Sequence, residues 1–466
     1  WGRRPLATVE RGNECLENLV KILEDRGVVV DRPTPLQWNQ AIGTPDFRND
    51  SMMTCMPPRD ILLTMGNEIM ASANSFRCRY FEYLAYWPLM KQYFDEDPDF
   101  LWTQAPRPRL TDKSYKHNYY DEKISLEFGV VGQETCGPGG MAYGLRSIPG
   151  VFQVIDDVRK YAPEAWIINY SNPAAIVAEA TRRKYNNYKI LNICDMPVAI
   201  MLSFAKMLGL EKYNDVDPVY FGLNHFGWWT HLYDKSGVDR MPELKEKIMK
   251  FGLAASHDKH HSDPSWRHTW ENFKEILTDF PEYLPNTYLQ YYLYAKESAE
   301  DMDPNYTRAN MVMDGREKDM IEQAKLIRES GGKKEANLNL FNAFGDFIVD
   351  VACSIAYNNA DRYLVIVENK GCIPQMPYDA MVEVPCYLRK WGPEPVTIGN
   401  IPQFQLGMMM QQVSSEKLIV DAYFEHSYQK ALEAFTMNKT VPSAKVARKI
   451  LDKMIEANKG YWPELH

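Results

Sequence analysis

The chain has 466 residues, 45% of them hydrophobic and 25% charged, which is typical of a soluble globular protein with two or three domains. Its formal net charge of −9 argues against nucleic acid or an anionic membrane surface as a partner. The eight cysteines form no CxxC pair, and no run of about eighteen apolar residues occurs. We therefore predict a cytoplasmic protein that is neither secreted nor membrane-spanning.

The first part of the chain predicts a helix followed by a strand. Apolar residues recur at helical spacing over 9–25, and the β-branched run Val28 to Val30 predicts a short strand. A further strand is predicted at Ile61 to Met65 and an aromatic helix at Phe76 to Phe94. Residues 95–120 contain three prolines and predict irregular structure.

From residue 128 onward, helical and strand patterns alternate. The predicted elements are helices at 147–161, 174–183 and 197–208 and strands at 165–170, 189–193 and 219–223. Such alternation is typical of a parallel sheet with crossover helices, in which ligands bind at the carboxyl ends of strands.

After Met241 long helical patterns dominate. They lie at 266–278, 305–331, 338–358, 405–435 and 444–458, with a pair of strands at 363–367 and 381–384. We therefore predict an α/β fold, a Rossmann-like parallel sheet with crossover helices, followed by a mainly helical α+β substrate domain. The N-terminal third is left without a fold class.

Two motifs at predicted strand ends carry metal-binding residues. Cys194 lies in Asn-Ile-Cys-Asp-Met-Pro, and His225 lies about thirty residues later in Gly-Leu-Asn-His-Phe-Gly-Trp. A thiolate and an imidazole from two strand ends can share one metal ion, and Asp195 would lie beside whatever the metal binds. Taken singly, Cys194 is better explained as a buried thiol and His225 as a core histidine, but together in these motifs they favour a metal site.

From about Asp121 to His466 the chain resembles glycoside hydrolase family 4, and most closely its 6-phospho-α-glucosidases. The resemblance is carried by the segments 129–140, 169–175, 194–197, 222–228, 284–292 and 307–310, in that order. The Cys-Asp-Met-Pro form of the tetrad favours the branch that acts on 6-phospho-α-glucosides such as maltose 6-phosphate.

The resemblance implies a hydrolysis that depends on NAD and Mn²⁺. NAD removes hydride from C3 of the sugar, a base removes the C2 proton, the leaving group departs, water adds and hydride returns. The implied metal ligands are Cys194 and His225, and a thiolate is a soft partner for Mn²⁺, so we expect a weak, oxidation-prone site. Asp195 is implied as the general acid or base near the leaving group, and Tyr288 as the base at C2.

Three further residues are implied to contact the phosphorylated disaccharide substrate. Asn172 and Glu134 would hydrogen-bond sugar hydroxyls or orient the metal ligands, and Arg308 would supply positive charge for the substrate or its phosphate. Each has a structural alternative: a turn before Pro173 for Asn172, an ion pair for Glu134 and Arg308, a helix N-cap for Asp195, and an ordinary aromatic in a tyrosine-rich helix for Tyr288. The segment Gly137 to Gly140 predicts a flexible loop.

Residues 1 to about 120 instead resemble the glycine amidinotransferases. The matching segments are 44–47, 58–62, 66–69, 81–83 and 102–106, and Asp60 matches an active-site residue of that family. The chain is therefore interpreted as a chimera with an amidinotransferase-like segment at 1–120, the remaining Rossmann-like part with the metal site at 121–230, and a helical substrate and oligomerisation domain at 231–466. Two alternative functions stay open, an arginine-dependent amidinotransferase and an inactive protein that binds metal or sugar phosphate.

The sequence lacks the glycine-rich turn that cradles a dinucleotide pyrophosphate. Residues 1–120 contain only Gly2, Gly12, Gly27, Gly43 and Gly66, without a GxGxxG arrangement. We therefore predict weak or absent NAD binding. Family resemblance also implies a homodimer or homotetramer.

Overall fold

The structure is a computed structural model of the chain. It describes all residues except 1–5, 26, 45–47, 53–60, 73–78, 105–113, 254–263 and 331–338. The chain forms two compact units. The first comprises Trp1–Asp112, Asp156–Ala165 and Lys325–Glu335, and the second comprises Lys113–Ile155, Trp166–Ala324 and Ala336–His466.

The N-terminal elements begin with a helix and include two small sheets. They are α1 (Leu6–Glu24), β1 (Ile42–Gly43), β2 (Arg48–Asn49), β3 (Leu62–Met65), β4 (Glu68–Ala71), a 3-10 helix (Glu82–Ala85), α2 (Trp87–Glu96) and β5 (Leu101–Gln104). β3 and β4 are antiparallel, and β5 joins β4 in parallel. The buried residues of this part are aromatic and aliphatic side chains, among them Ile61, Tyr86, Met90 and Phe100.

Helices and strands alternate through the next part of the chain. They are α3 (Ser114–Leu126), α4 (Gly137–Tyr161), β6 (Ile167–Asn169), α5 (Ala174–Tyr185), β7 (Ile190–Asn192), α6 (Met196–Met207), β8 (Val216–Leu223) and β9 (Phe226–Asp234). The remaining elements are α7 (Met241–Phe251), α8 (Pro264–Asp279), β10 (Leu284–Pro285), α9 (Gln290–Leu293), α10 (Ala295–Glu300), α11 (Arg308–Glu329), α12 (Asn339–Tyr357), β11 (Arg362–Glu368), β12 (Met381–Arg389), β13 (Gly392–Pro395), α13 (Gln403–Glu425), α14 (Tyr428–Met437) and α15 (Ala444–Ala457).

An eight-stranded sheet organises the second unit. Its strand order is β10-β9-β8-β12-β11-β7-β6, with β13 paired to β12. β6 and β7 are parallel, as βαβ units require, whereas the other neighbouring strands are antiparallel. The predicted α/β class is confirmed, with the parallel arrangement confined to the β6–β7 pair.

The two largest hydrophobic cores of this unit lie on different helices. The larger one packs α6 and α12 against the sheet around buried aromatic residues such as Phe204, Tyr220 and Trp229. The second lies between α4 and the C-terminal helices α13 to α15, around Leu145, Phe435 and Ile450. None of the described helices has the length and apolarity needed to cross a membrane.

Four predictions of local structure are wrong. Residues 95–120 are not irregular throughout, because they include β5 (Leu101–Gln104) and the start of α3 (Ser114–Leu126). Residues 28–30 form no strand, because no partner strand pairs with them and Val29 is 84% exposed. The predicted helix at 405–435 is two helices, because His426 adopts a left-handed backbone (φ 55°) that ends α13. Gly137 to Gly140 form the buried first turn of α4 rather than a flexible loop.

Helix α13 carries a buried acidic side chain. Glu416 on α13 is buried and accepts a hydrogen bond from Gln412 Nε2 at 2.8 Å, and burial raises the pKa of Glu416 to about 8. The folded chain thus holds this proton more tightly than the unfolded chain does, so stability falls as pH rises from the ordinary glutamate pKa towards 8.

Glu416→Gln should therefore raise the thermal denaturation temperature by an amount that grows between pH 5 and pH 8, since the amide needs no proton to remain neutral. Differential scanning fluorimetry at several pH values measures this difference. Glu425→Gln, at an exposed position on the same helix, should show no such trend. A pH-independent difference for Glu416→Gln would contradict the assignment.

Candidate active site

The structure brings the two predicted metal ligands together. Cys194 follows β7, and His225 occupies the turn between β8 and β9. Their side chains are buried, and Cys194 Sγ lies 3.3 Å from His225 Nε2. Strand ends that are 31 residues apart in sequence therefore deliver a thiol and an imidazole to one point.

A tight hairpin positions the imidazole. Leu223 pairs with Phe226, so Asn224 and His225 alone make the turn, and His225 has a left-handed backbone with φ 60°. Few non-glycine residues adopt this conformation, which costs free energy that the surrounding structure must offset. Gly222 and Gly227 pair beside the turn, where a Cβ atom on either would overlap the opposite strand or the Tyr220 ring.

Burial governs the protonation of both groups. It raises the pKa of the Cys194 thiol well above its usual value, and the carboxylates of Asp195 and Glu383 act in the same direction. Burial, together with the Arg308 guanidinium, lowers the pKa of His225 to about 3. The imidazole is therefore neutral at physiological pH, as a metal ligand must be.

These donors suit a divalent cation. A thiolate and a neutral imidazole facing each other can bind one ion, and the positive charge of the ion would favour loss of the thiol proton. Within the described residues no cluster of three or more His, Cys, Asp or Glu could hold a metal. A metal held by two protein ligands, Cys194 and His225, would keep positions open for substrate oxygens.

Asp195 lies at the N-terminus of α6, but its side chain caps no backbone N–H there. Asp195 thus occupies the N-cap position of α6 without the capping hydrogen bond that its structural alternative requires. Its Oδ1 lies 3.8 Å from Cys194 Sγ, and after burial its carboxylate is the main group that raises the pKa of Tyr170. Asp195 is partly exposed, so its carboxylate can reach a bound ligand beside the metal ligands.

Tyr288 lies directly on the imidazole. Its ring stacks on His225 with centroids 4.2 Å apart and planes 12° from parallel. A short 3-10 helix presents it, and Asn286 Oδ1 accepts the Tyr288 backbone N–H at 3.0 Å. Burial raises the pKa of Tyr288 well above its usual value, and the Arg308 guanidinium opposes this without offsetting it. Arg308 therefore acts in the direction that a base at C2 requires, but burial outweighs it, and a further positive charge would be needed.

Glu134 and Arg308 form an ion pair in this region, with Arg308 Nη1 2.5 Å from Glu134 Oε1. Arg308 is the first residue of α11, and buried Glu122 accepts the next backbone N–H, that of Ala309, at 2.9 Å. Burial raises the pKa of Glu122 to about 7. The contact fixes the start of α11 and therefore the place from which Arg308 extends.

Asn172 follows β6 and precedes a cis peptide bond to Pro173. Its backbone carbonyl accepts a hydrogen bond from the Ser147 hydroxyl at 3.3 Å. β6 pairs in parallel with β7, with Asn169 opposite Asn192, so the end of β6 lies beside the residues that follow β7. The segment before Pro173 thus forms one wall near Asp195, at the carboxyl ends of the two parallel strands.

Sequence reasoning missed Glu383 on β12. Its carboxylate is buried and accepts hydrogen bonds from Tyr220 Oη at 3.0 Å and Asn224 Nδ2 at 3.1 Å. Burial raises its pKa to about 7. The Asn224 side chain opposes the rise in the pKa of Cys194, so Glu383 holds an amide that lies near the thiol. The sequence feature that could have indicated Glu383 is its position as a single charged residue inside the apolar run Met381 to Val384.

Glu383→Ala should destabilise the chain, because it leaves the Tyr220 hydroxyl and the Asn224 amide in the interior without their acceptor. Each unsatisfied group costs about 1–3 kcal/mol, so the thermal denaturation temperature should fall by several degrees. Glu383→Gln keeps an acceptor oxygen and should lose much less. Equal denaturation temperatures for the two variants would show that these hydrogen bonds do not stabilise the turn.

Comparison with known proteins identifies the family. The Family 4 glycosyl hydrolase model matches residues 96–210, and the model of the Family 4 glycosyl hydrolase C-terminal domain matches residues 220–441. The chain belongs to glycoside hydrolase family 4. The match begins upstream of the predicted boundary near residue 121.

Several characterised relatives are similar over most of their length. Maltose-6'-phosphate glucosidase MalH of Clostridium acetobutylicum is 50% identical over 379 residues, which cover 79% of this chain and 86% of the relative. Maltose-6'-phosphate glucosidase of Bacillus subtilis is 48% identical, with coverage of 79% and 84%. A crystal structure of a 6-phospho-alpha-glucosidase from gut microorganisms in complex with NAD and Mn²⁺ has a TM-score of 0.71 at 46% identity, covering 81% of this chain and 88% of that one.

The amidinotransferase resemblance of residues 1–120 stays a prediction. A solved amidinotransferase, SxtG of Microseira wollei, covers 24% of this chain with a TM-score of 0.22, too low to indicate a shared fold. Asp60, the residue matched to that family's active site, lies outside the described residues. The chimera interpretation thus has no structural support.

Proposed function

We propose that the chain hydrolyses 6-phospho-α-glucosides such as maltose 6-phosphate, with NAD and Mn²⁺ as cofactors. The observation that carries this proposal is the contact between Cys194 Sγ and His225 Nε2, 3.3 Å apart beneath Tyr288. The α-specific relatives are 46–52% identical, whereas a probable 6-phospho-beta-glucosidase of Bacillus subtilis is 33% identical. This difference supports the α-glucoside branch.

The metal ion would be held by Cys194 and His225. When bound, Mn²⁺ supplies a Lewis acid for sugar hydroxyls and positive charge near Tyr288. Tyr288 accepts the proton at C2, and its stacking on His225 holds its ring beside the metal ligands. Asp195 exchanges a proton with the oxygen of the leaving group, because it lies next to Cys194 with part of its surface exposed.

Charged and amide side chains would hold the phosphorylated sugar. Arg308 offers its guanidinium to the substrate or its phosphate, and Glu134 fixes that guanidinium through their ion pair. Glu134 and Asn172 are assigned to sugar hydroxyls. The residues of this site come from both 121–230 and 231–466, which we propose as the metal-binding and substrate-binding parts, assembled as a homodimer or homotetramer.

NAD is proposed from the family and from the similar structure solved with it. When bound, NAD supplies the hydride acceptor. A pyrophosphate site needs a glycine-rich turn between a strand and the start of a helix. The described residues up to 104 contain Gly12, Gly27, Gly43 and Gly66, none in such a turn. A glycine-rich pyrophosphate turn is therefore not among the described residues up to 104.

The test is the release of glucose 6-phosphate from maltose 6-phosphate, compared with a 6-phospho-β-glucoside, in the presence of NAD, Mn²⁺ and a reductant. We expect hydrolysis of the α-substrate that requires both cofactors. Titration calorimetry with NAD runs in parallel. If folded protein binds Mn²⁺ but neither binds NAD nor hydrolyses either substrate, the chain is the inactive metal-binding protein and the proposal fails.

A further inference from the structure

Thr135, which lies just before α4, contacts the imidazole of His225 on the side away from Cys194. Thr135 Oγ1 lies 3.1 Å from His225 Nδ1, whereas Nε2 faces Cys194 Sγ. A neutral imidazole carries one proton, so one ring nitrogen donates a hydrogen bond and the other offers a lone pair. Which nitrogen carries the proton decides whether Nε2 can bind a metal.

Buried Gln133 determines the direction of the Thr135 hydroxyl. Gln133 Oε1 accepts the backbone N–H groups of Thr135 at 2.6 Å and Cys136 at 2.8 Å. Backbone N–H groups only donate, so the Gln133 atom that faces them is the carbonyl oxygen rather than the amide nitrogen. The same oxygen lies 2.9 Å from Thr135 Oγ1. An amide oxygen only accepts, so the Thr135 hydroxyl donates its proton to Gln133.

These hydrogen bonds determine which ring nitrogen of His225 carries the proton. Because the Thr135 hydroxyl proton points to Gln133, its oxygen presents a lone pair to His225 and accepts the Nδ1 proton. The Cys136 thiol, 4.0 Å from Thr135 Oγ1, is a distant and weak competitor. The Nε2 lone pair then points at Cys194 Sγ. In the metal-free chain it can accept the Cys194 thiol proton.

The first turn of α4 supports the Gln133–Thr135 segment. A Cβ atom on Gly139 would lie 2.5 Å from the backbone carbonyl oxygen of Gln133. A Cβ atom on Gly140 would lie 2.5 Å from the backbone carbonyl carbon of Thr135. Glycine is therefore needed for this close approach. On the other side, stacking on Tyr288 holds the plane of the His225 ring.

We propose that Gln133 and Thr135 are positioning residues that hold His225 in its Nδ1–H tautomer and so keep the Nε2 lone pair available to the metal. The proposal rests on the metal site of the proposed function. Outer partners of metal-binding histidines fix the tautomer, and their loss typically costs about 10- to 100-fold in metal affinity. Thr135 would be such a partner, with a hydroxyl in place of the more usual carboxylate or carbonyl.

The test is ¹⁵N NMR of the metal-free, reduced protein with labelled histidine. The chain has nine histidines, and a His225→Gln variant identifies the His225 signal. We expect the Nδ1–H tautomer in the wild type and a shift towards Nε2–H in Thr135→Val, which has nearly the same shape without the hydroxyl. Thr135→Ser should restore the wild-type spectrum. Thr440→Val removes a buried hydroxyl that donates to Asn438 and should leave the His225 signal unchanged.

Mn²⁺ binding, followed by electron paramagnetic resonance, supplies the second readout. Thr135→Val should weaken it by about 10- to 100-fold, and Thr135→Ser should restore it. An Nε2–H tautomer in the wild type, or no change in tautomer in Thr135→Val, would overturn the proposal. An Nδ1–H tautomer in a wild-type protein that binds no Mn²⁺ would support the assigned role of Gln133 and Thr135 in the tautomer and contradict the metal site itself.

Discussion

Cys194→Ser is expected to abolish metal binding and hydrolysis together. Serine keeps the shape of the side chain but replaces a thiol with a hydroxyl, which does not ionise near neutral pH and cannot supply a thiolate ligand. Of the two side chains that converge on the metal position, only the imidazole of His225 would remain a ligand. We expect Mn²⁺ affinity to fall by more than the roughly 100-fold that loss of an outer partner can cost.

Mn²⁺ titration by electron paramagnetic resonance measures this loss, and hydrolysis of maltose 6-phosphate measures its consequence. Cys15→Ser is the matched control, since Cys15 is an exposed thiol on α1 and should affect neither quantity. Circular dichroism shows whether Cys194→Ser remains folded. A folded Cys194→Ser variant with wild-type Mn²⁺ affinity would show that the thiol is not a ligand.

Tyr288→Phe is expected to lower kcat by about 10²- to 10⁴-fold, the usual range for loss of a general base. Phenylalanine keeps the ring that stacks on His225 and removes only the hydroxyl. Mn²⁺ affinity should therefore stay within a few-fold of the wild type. This separation of turnover from metal binding distinguishes the base from a residue that merely packs against the site.

The comparison with Tyr283→Phe controls for the loss of a tyrosine hydroxyl. Tyr283 is partly buried, and its ring lies 6.2 Å from that of Phe221 rather than against His225, so this variant should keep its activity. Substrate deuterated at C2 adds an independent check, because proton removal by Tyr288 predicts a primary isotope effect. Unchanged kcat in Tyr288→Phe would assign Tyr288 a packing role.

The two metal ligands were predictable from the sequence, because their residue types bind metals and their positions follow predicted strands. Cys194 and His225 each follow a predicted strand, and strand ends of an α/β sheet meet at one edge. Regular helices were also predictable: α15 was expected at 444–458 and spans Ala444–Ala457, with Ser443 accepting the Val446 backbone N–H at its start.

Other features depend on contacts that sequence patterns do not encode. β9 was not predicted, because its start, Phe-Gly-Trp-Trp, lacks the alternation of apolar and polar residues that marks a half-buried strand. Its register is set by pairing with β8. Gly137 to Gly140 were expected to form a loop, although packing against Gln133 and Thr135 makes them helical. Asp195 occupies a capping position yet faces Cys194, since tertiary contacts override the local preference.

The most direct test is the manganese X-ray absorption spectrum of the Mn²⁺-loaded, reduced protein. If Cys194 and His225 hold the metal, the first shell contains one sulfur together with nitrogen and oxygen neighbours, and the sulfur contribution disappears in Cys194→Ser. A first shell made only of oxygen and nitrogen in the wild type would contradict the shared thiolate–imidazole site.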